Sequence, residues 1–227
     1  MLIAIPDVLS REEALALGVA VANADWVDGN VTSGAGAALA KKNRQLPESS
    51  DAAKKARLAV QQALSRSGLF LSAALPHAIY PPLFNRYSQG DSFGNHVDNA
   101  IRIDPATGVQ MRTDLSATLF LSDPEDYDGG ELTIEGAFGS ASYKLAAGQL
   151  LLYPSTSVHH VTPITRGERI SSFFWIESLV RENEAREMLL DLDQSIQHLT
   201  VDRGAADAEV LRLTQIYHNL IRRWAKR

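Results

Sequence analysis

Between Leu83 and Glu177 the chain is a succession of short β-branched or aromatic runs: Leu83–Tyr87, Leu115–Leu121, Glu131–Ile134, Gln149–Tyr153 and Ile170–Ile176. Gly, Pro and Asp separate them, so each run reads as a strand bounded by turns. Regularly spaced short strands remove their unpaired edges by stacking or closing, and they predict a sandwich or barrel.

On both sides the period changes to that of a helix. Leu2–Pro6 reads as a short strand, and Ser10-Arg-Glu-Glu13 has the form of a capping box opening a helix to about Asn23. Residues 26–45, rich in Gly, Ala, Asn and Thr, read as a loop covering the surface. Ser50–Ser67 carries Ala53, Ala56, Val60, Ala63 and Leu64 at helical spacing, with Gly68 placed to cap the C-terminus. In the last segment Met188, Leu189, Leu192, Ile196 and Leu199 form one stripe. Gly204 breaks it, and Leu213, Ile216, Tyr217, Leu220 and Trp224 form a second. The expected organisation is α+β: a helical and loop support at 1–82, a β-rich core at 83–180 and a helical hairpin at 181–227.

The 227 residues include no cysteine, so any metal must sit on His, Asp or Glu. The net charge of −5 argues against nucleic acid as a partner. No charged start leads into an apolar run, and no apolar stretch is long enough to span a bilayer. A cytoplasmic protein with no membrane partner is expected; a homo-oligomer stays open.

Six histidines are present. His96 and Asp98 stand two apart, and in an extended segment such positions face the same way and can grip one ion. His159 or His160, from a later strand, could add a third ligand. Two His and one carboxylate on one face of an octahedron leave three positions open, the arrangement of non-heme Fe(II) oxygenases. Arg169 follows His159 across the turn Pro163–Gly167. A buried guanidinium needs a carboxylate, so a dicarboxylate with a chelating 2-oxo acid end, which describes 2-oxoglutarate, would reach from Arg169 to the metal.

Three ordered motifs carry a resemblance. They are Tyr87-x-x-Gly90-x-x-Phe93-x-x-His96-x-Asp98, then Asp128-Gly129-Gly130-Glu131-Leu132, then His159-x3-Pro163-Ile164-x2-Gly167-x-Arg169. Together they resemble the prolyl-4-hydroxylase-type Fe(II)/2-oxoglutarate dioxygenases over residues 83–177. Asn85-Arg86-Tyr87, Leu121-Ser122-Asp123-Pro124, Leu152-Tyr153-Pro154-Ser155, Val161-Thr162-Pro163 and the run Phe174–Arg181 are more narrowly similar to the bacterial PKHD-type hydroxylases, often described as iron-uptake factors. That likeness extends through both helical ends. Two departures from the wider pattern stand out: Phe93 where Tyr is common, and Arg169 where Lys is common.

The resemblance implies a double-stranded β-helix, or jelly roll, with iron at one mouth. It also implies a hydroxylase that decarboxylates 2-oxoglutarate to succinate with O2, ascorbate as a further cofactor and a link to iron homeostasis. It assigns His96, Asp98 and His159 to Fe(II), preferring His159 over His160 by its spacing to Pro163, Gly167 and Arg169. Strand alternation agrees, since His160 would point away. Arg169 is assigned to the far carboxylate of 2-oxoglutarate. Tyr87 and Thr118, on flanking strands, are candidate donors to the co-substrate.

Asp128-Gly129-Gly130 is expected to be a turn with positive φ. His77, His198 and His218 are expected at the surface, and Arg222, Arg223, Lys226 and Arg227 as a basic helix end. Two other readings remain: a non-catalytic iron or 2-oxoglutarate sensor acting through a partner protein, and a metal hydrolase or isomerase on a cupin-like barrel. The substrate, whether small molecule, peptide or protein, stays open, and residues 26–45 and 99–112 are candidates for covering the site.

Overall fold

The computed structural model describes residues 1–32, 40–104, 107–136 and 139–225. The chain opens with β1 (Ile3–Ile5), α1 (Arg11–Ala22), β2 (Val27–Asp28), a 3-10 turn (Gly29–Thr32), β3 (Lys41–Lys42) and β4 (Arg44–Gln45). Helices α2 (Asp51–Arg66) and α3 (Gly68–Ala74) follow, then β5 (Pro76–Ile79), β6 (Leu83–Tyr87), β7 (Ser92–His96), β8 (Ile101–Ile103) and β9 (Gln110–Arg112). Next come β10 (Leu115–Phe120), β11 (Tyr127–Asp128), β12 (Leu132–Gly136), β13 (Gly139–Tyr143), β14 (Leu150–Pro154), β15 (His159–Val161), β16 (Arg166–Gly167) and β17 (Arg169–Ser178). Helices α4 (Asn183–Arg203) and α5 (Ala208–Trp224) end it.

Two antiparallel sheets make the core, a double-stranded β-helix. One has eight strands, ordered β1-β14-β10-β17-β6-β4-β2, with β5 added alongside β17; the other has five, ordered β13-β12-β15-β7-β3. Alternation along the strands explains why the large sheet reads as almost unbroken apolar runs, since both of its faces are buried. Leu115, Ala117 and Leu119 of β10, Leu150 and Leu152 of β14, and Ile170, Phe174 and Ile176 of β17 join a cluster with α1, α2 and α3. The intervening Phe120, Leu151 and Tyr153 face the small sheet, where they meet Leu132, Ile134 and Val161. A slip of one residue in β10 or β17 would exchange these faces, which fixes the register.

The helices form where the sequence signals them. Ser10 accepts from the Glu13 amide and the Glu13 carboxylate accepts from Ser10 N–H, closing the capping box of α1. Helix α2 buries the five expected residues, three of them alanines that let its axis lie close to the sheet. Gly68 is not the C-terminal cap expected of it. Ser67 ends α2 and at once caps α3 by accepting from Phe70 N–H, so Gly68 is the first residue of the next helix.

The segment 26–45 also departs from a surface loop. Its described parts supply β2, β3 and β4, which extend both sheets, because Arg44 and Gln45 pair with Arg86 and Asn85 and Lys41 with Phe93. These edges are too short to leave a periodic signal. Residues 33–39, within that segment, 105–106, within the expected cover 99–112, and Lys226 and Arg227 of the basic tail lie outside the described residues.

Gly129 and Gly130 carry φ of 75° and 69°, as expected of the turn before β12. A Cβ on Gly129 would stand 2.0 Å from the Pro163 carbonyl oxygen, so the turn that holds β11 against β16 has room for glycine alone.

Gly204, with φ 86°, separates α4 from α5. Of the two expected stripes only Leu189 is fully buried: it joins Ala185, Leu75 and Val180, against which Tyr217, Leu220 and Trp224 are partly buried, whereas Met188 and Ile216 are exposed. The first turns of α4 are the ones that meet the domain. There the buried Arg186 donates to the Val180 and Arg181 carbonyls at 2.6 and 2.7 Å, tying the hairpin to the end of β17.

Candidate metal centre and co-substrate pocket

A cavity of about 750 Å³, its open mouth included, lies between the two sheets. His96, Asp98 and His159 line it, each offering a ligand atom, and these atoms lie within 4.8 Å of one another. Their convergence follows from strand pairing. His159 on β15 is the cross-strand partner of His96 at the end of β7, and Asp98, two residues on, keeps the inward side while Val97 is 49% exposed. His159 is 3% exposed; His160 faces the other way, with Nδ1 4.0 Å from the Glu135 carboxylate.

The two imidazoles are held by the same kind of contact, their planes tilted by 52°. His96 Nδ1 lies 2.9 Å from the Gly94 carbonyl oxygen, and His159 Nδ1 3.0 Å from that of Ser157. A carbonyl only accepts, so each Nδ1 carries the proton and each Nε2 presents a lone pair. Burial, then the neighbouring His159, pushes His96 down to about 4, which keeps it neutral and able to ligate near pH 7. The Phe93 ring stacks on His96 with centroids 3.6 Å apart. The hydroxyl missing at this position is thus replaced by a flat support for the ligand ring.

Asp98 is held by Ser116, whose hydroxyl donates to Oδ2 at 2.6 Å. Ser116 has one proton, so Ser155, 2.7 Å away, donates to it in turn. Two neutral imidazole nitrogens and one carboxylate at the wall of an open cavity are the donor set that suits ferrous iron with exchangeable positions.

Arg169 stands in the same cavity. It is 1% exposed, between the rings of Tyr87 and Phe120 at 5.4 and 5.0 Å. Its Nη1 donates to Ser171 Oγ at 2.8 Å, Ser171 donates to Asn85 Oδ1 at 2.5 Å, and its Nε has no acceptor. Among the described residues no carboxylate forms an ion pair with it. A buried guanidinium left so costs several kcal/mol, roughly 3–5 on losing a partner, and a dicarboxylate spanning from Arg169 to the metal ligands would supply that partner.

Tyr87, the cross-strand partner of Arg169, and Thr118 of β10 both line the cavity. Burial pushes the Tyr87 phenol up to about 12 and Tyr153 well above its ordinary value, so both are neutral donors. His77, His198 and His218 are exposed and remote from this group.

Ser116, Asn85, Lys41 and Arg102 line the cavity without having been singled out as site residues, although Lys41 and Arg102 lie in the segments 26–45 and 99–112 expected to cover the site. Ser116 shares a face of β10 with Thr118, and Asn85 a face of β6 with Tyr87, so strand parity would have found both. Lys41 and Arg102 sit on short edge elements with no such signal. Lys41 Nζ donates to the Gly29 carbonyl at 2.7 Å and lies 5.4 Å from the Phe93 ring centroid, and burial lowers its amine to about 8.

Comparison with known proteins bears on the whole chain. Residues 82–177 match the 2OG-Fe(II) oxygenase superfamily and residues 183–226 the PKHD-type hydroxylase C-terminal domain. A PKHD-type hydroxylase of Burkholderia thailandensis is 56% identical over 99% of both chains, and one of Methylobacillus flagellatus 57% identical over the same shares. Among solved structures, a prolyl-4-hydroxylase of Pseudomonas putida shares the fold with a TM-score of 0.53 at 21% identity, over 78% of this chain and 92% of that one. HygX of Streptomyces hygroscopicus, solved with nickel and 2-oxoglutarate bound, gives 0.53 at 17% identity, over 80% and 84%. No helix among the described residues is long and apolar enough to cross a membrane.

Proposed function

Since the chain belongs to the PKHD-type hydroxylases, 2-oxoglutarate-dependent dioxygenases of the 2OG-Fe(II) oxygenase superfamily, we propose that it hydroxylates its substrate through His96, Asp98, His159 and Arg169. The observation that carries this assignment of residues is the buried Arg169, without a carboxylate partner among the described residues, in one cavity with the three-ligand group. Ferrous iron with 2-oxoglutarate and O2 supplies decarboxylation of the co-substrate to succinate and transfer of one oxygen atom into a substrate C–H bond.

The chain's own residues do the positioning. His96 and His159 offer Nε2 because their Nδ1 protons are engaged by backbone carbonyls. Asp98 offers its carboxylate in the orientation that Ser116 and Ser155 set. Arg169 binds the distal carboxylate of 2-oxoglutarate, with the nearby rings of Tyr87 and Phe120 excluding water around it. Tyr87 and Thr118 donate to the co-substrate. Phe173 and Trp175 wall the remaining space and limit oxidation of anything not held there. A tie to iron supply and the use of ascorbate rest on family likeness.

The test is succinate formation in air with Fe(II), 2-oxoglutarate and fractions of small molecules and peptides from a bacterial lysate. Succinate should rise in step with a product heavier by one oxygen atom in the fraction holding the substrate. If 2-oxoglutarate binds but no fraction raises succinate above the substrate-free rate, the protein acts as a sensor and the reading fails.

A further inference from the structure

The hairpin β8–β9 pairs Arg102 with Met111 and contributes Arg102 to the cavity wall. Alternation sends Ile101 and Ile103 outward, where both are more than half exposed, and turns Arg102 in to line the cavity. The guanidinium carbon lies 3.3 Å from the ring centroid of Trp175, flat cover that leaves the in-plane N–H edges as donors. Trp175 is itself fixed edge-on by Tyr80 and Phe173, with centroids 5.5 and 5.6 Å away. Arg102 Nε is buried without an acceptor, and among the described residues no acidic side chain forms an ion pair with it.

Charge balance gives this arrangement a direction. Asp98 is the one carboxylate among the residues lining the cavity, against Lys41, Arg102 and Arg169. Under the proposed function, ferrous iron, the 2-oxoglutarate dianion, Asp98 and Arg169 cancel one another. Arg102 then leaves a positive charge facing the space where substrate must sit, and Lys41, held by the Gly29 carbonyl, lines the same cavity. Tyr80, by a hydrogen bond, and the carboxylates of Asp98 and Glu48, by charge, offset part of the cost of keeping this partly desolvated guanidinium, and an incoming anion would add the direct ion pair.

We propose that Arg102, with Lys41 adding positive charge to the same cavity, is the receptor for an oxyanion of the substrate, so the hydroxylated molecule carries a carboxylate or a phosphate group. The inference rests on the hydroxylase reading of the site and adds the substrate class to it. Arg102 touches substrate in this account and none of the metal or co-substrate groups.

Binding without turnover tests it. The protein is loaded with Mn(II) and 2-oxoglutarate under nitrogen and titrated with N-acylated amino acids, their carboxamides and matching phosphate monoesters. Loading is read first, and failure of the wild type to take up 2-oxoglutarate would indict the hydroxylase reading rather than the anion receptor. In the loaded wild type one anionic series should bind at least tenfold tighter than the neutral carboxamides. Which series wins identifies the oxyanion. R102Q should bring the preference within about twofold, R102K should keep part of it, and circular dichroism confirms that both are folded. Equal binding of anions and carboxamides by the wild type, or a preference that survives in R102Q, overturns the proposal.

Discussion

The cavity is lined from two kinds of element, long paired strands and short edge pieces. Arg169, Tyr87, Thr118 and Tyr153 stand on β17, β6, β10 and β14, strands of five to ten residues with a neighbour on each side. Lys41 and Arg102, which line the same cavity, stand on a strand of two residues and a hairpin of three-residue strands. Long paired strands hold side chains in one geometry, which is what a co-substrate pocket requires. Short edge elements can change without disturbing the core, which suits the part of the site that selects a substrate.

The contrast can be broken on either side. On the long strands, Arg169→Met should cut 2-oxoglutarate affinity by about 2–5 kcal/mol while leaving the melting temperature of the ligand-free protein equal or higher, because a buried charge is removed. Unchanged affinity in a calorimetric titration would contradict the assignment. On the short edge strand, burial lowers Lys41 to about 8, so between pH 8 and 10.5 the unfolded chain holds a proton that the folded one has lost. Stability of the wild type relative to Lys41→Met should therefore rise across that window, by up to about 3 kcal/mol, and denaturant melts at stepped pH would show it.

Ser116→Ala removes the donor that orients Asp98, and metal affinity should fall about 10- to 100-fold with the fold intact. Competition with a chelator measures it, and an unaltered affinity would make Ser116 a packing residue only. Away from the cavity, Ser10→Ala should cost about 1 kcal/mol through the lost cap of α1, with 2-oxoglutarate binding unmoved. An effect on binding would mean that the helical support and the cavity are coupled.

The same division explains what could be read in advance. Leu115–Leu121 and Ile170–Ile176 announced themselves because strands buried on both faces are apolar at nearly every position. His96, Asp98 and His159 were legible because the i, i+2 rule and the ordered spacing to Arg169 constrain one another. Strand β7 was hidden because Ser92-Phe-Gly-Asn-His96 carries one apolar residue among small and polar ones and so shows no apolar alternation. Gly68 misled because a glycine after a helical stripe signals a stop, and nothing local shows that Ser67 begins another helix. Lys41 and Arg102 lie in the two segments expected to cover the site, but neither could be singled out there, because what marks them is the packing around them, the rings of Phe93 and Trp175, and not any periodicity of their own.

The central claim is that His96, Asp98 and His159 form one iron site serving 2-oxoglutarate chemistry. It is tested most directly by the rate of succinate formation from 2-oxoglutarate in air with Fe(II), which proceeds slowly without substrate, compared between the wild type and Asp98→Ala. The account predicts succinate above background from the wild type and none above background from Asp98→Ala. Equal rates from the two proteins would contradict it.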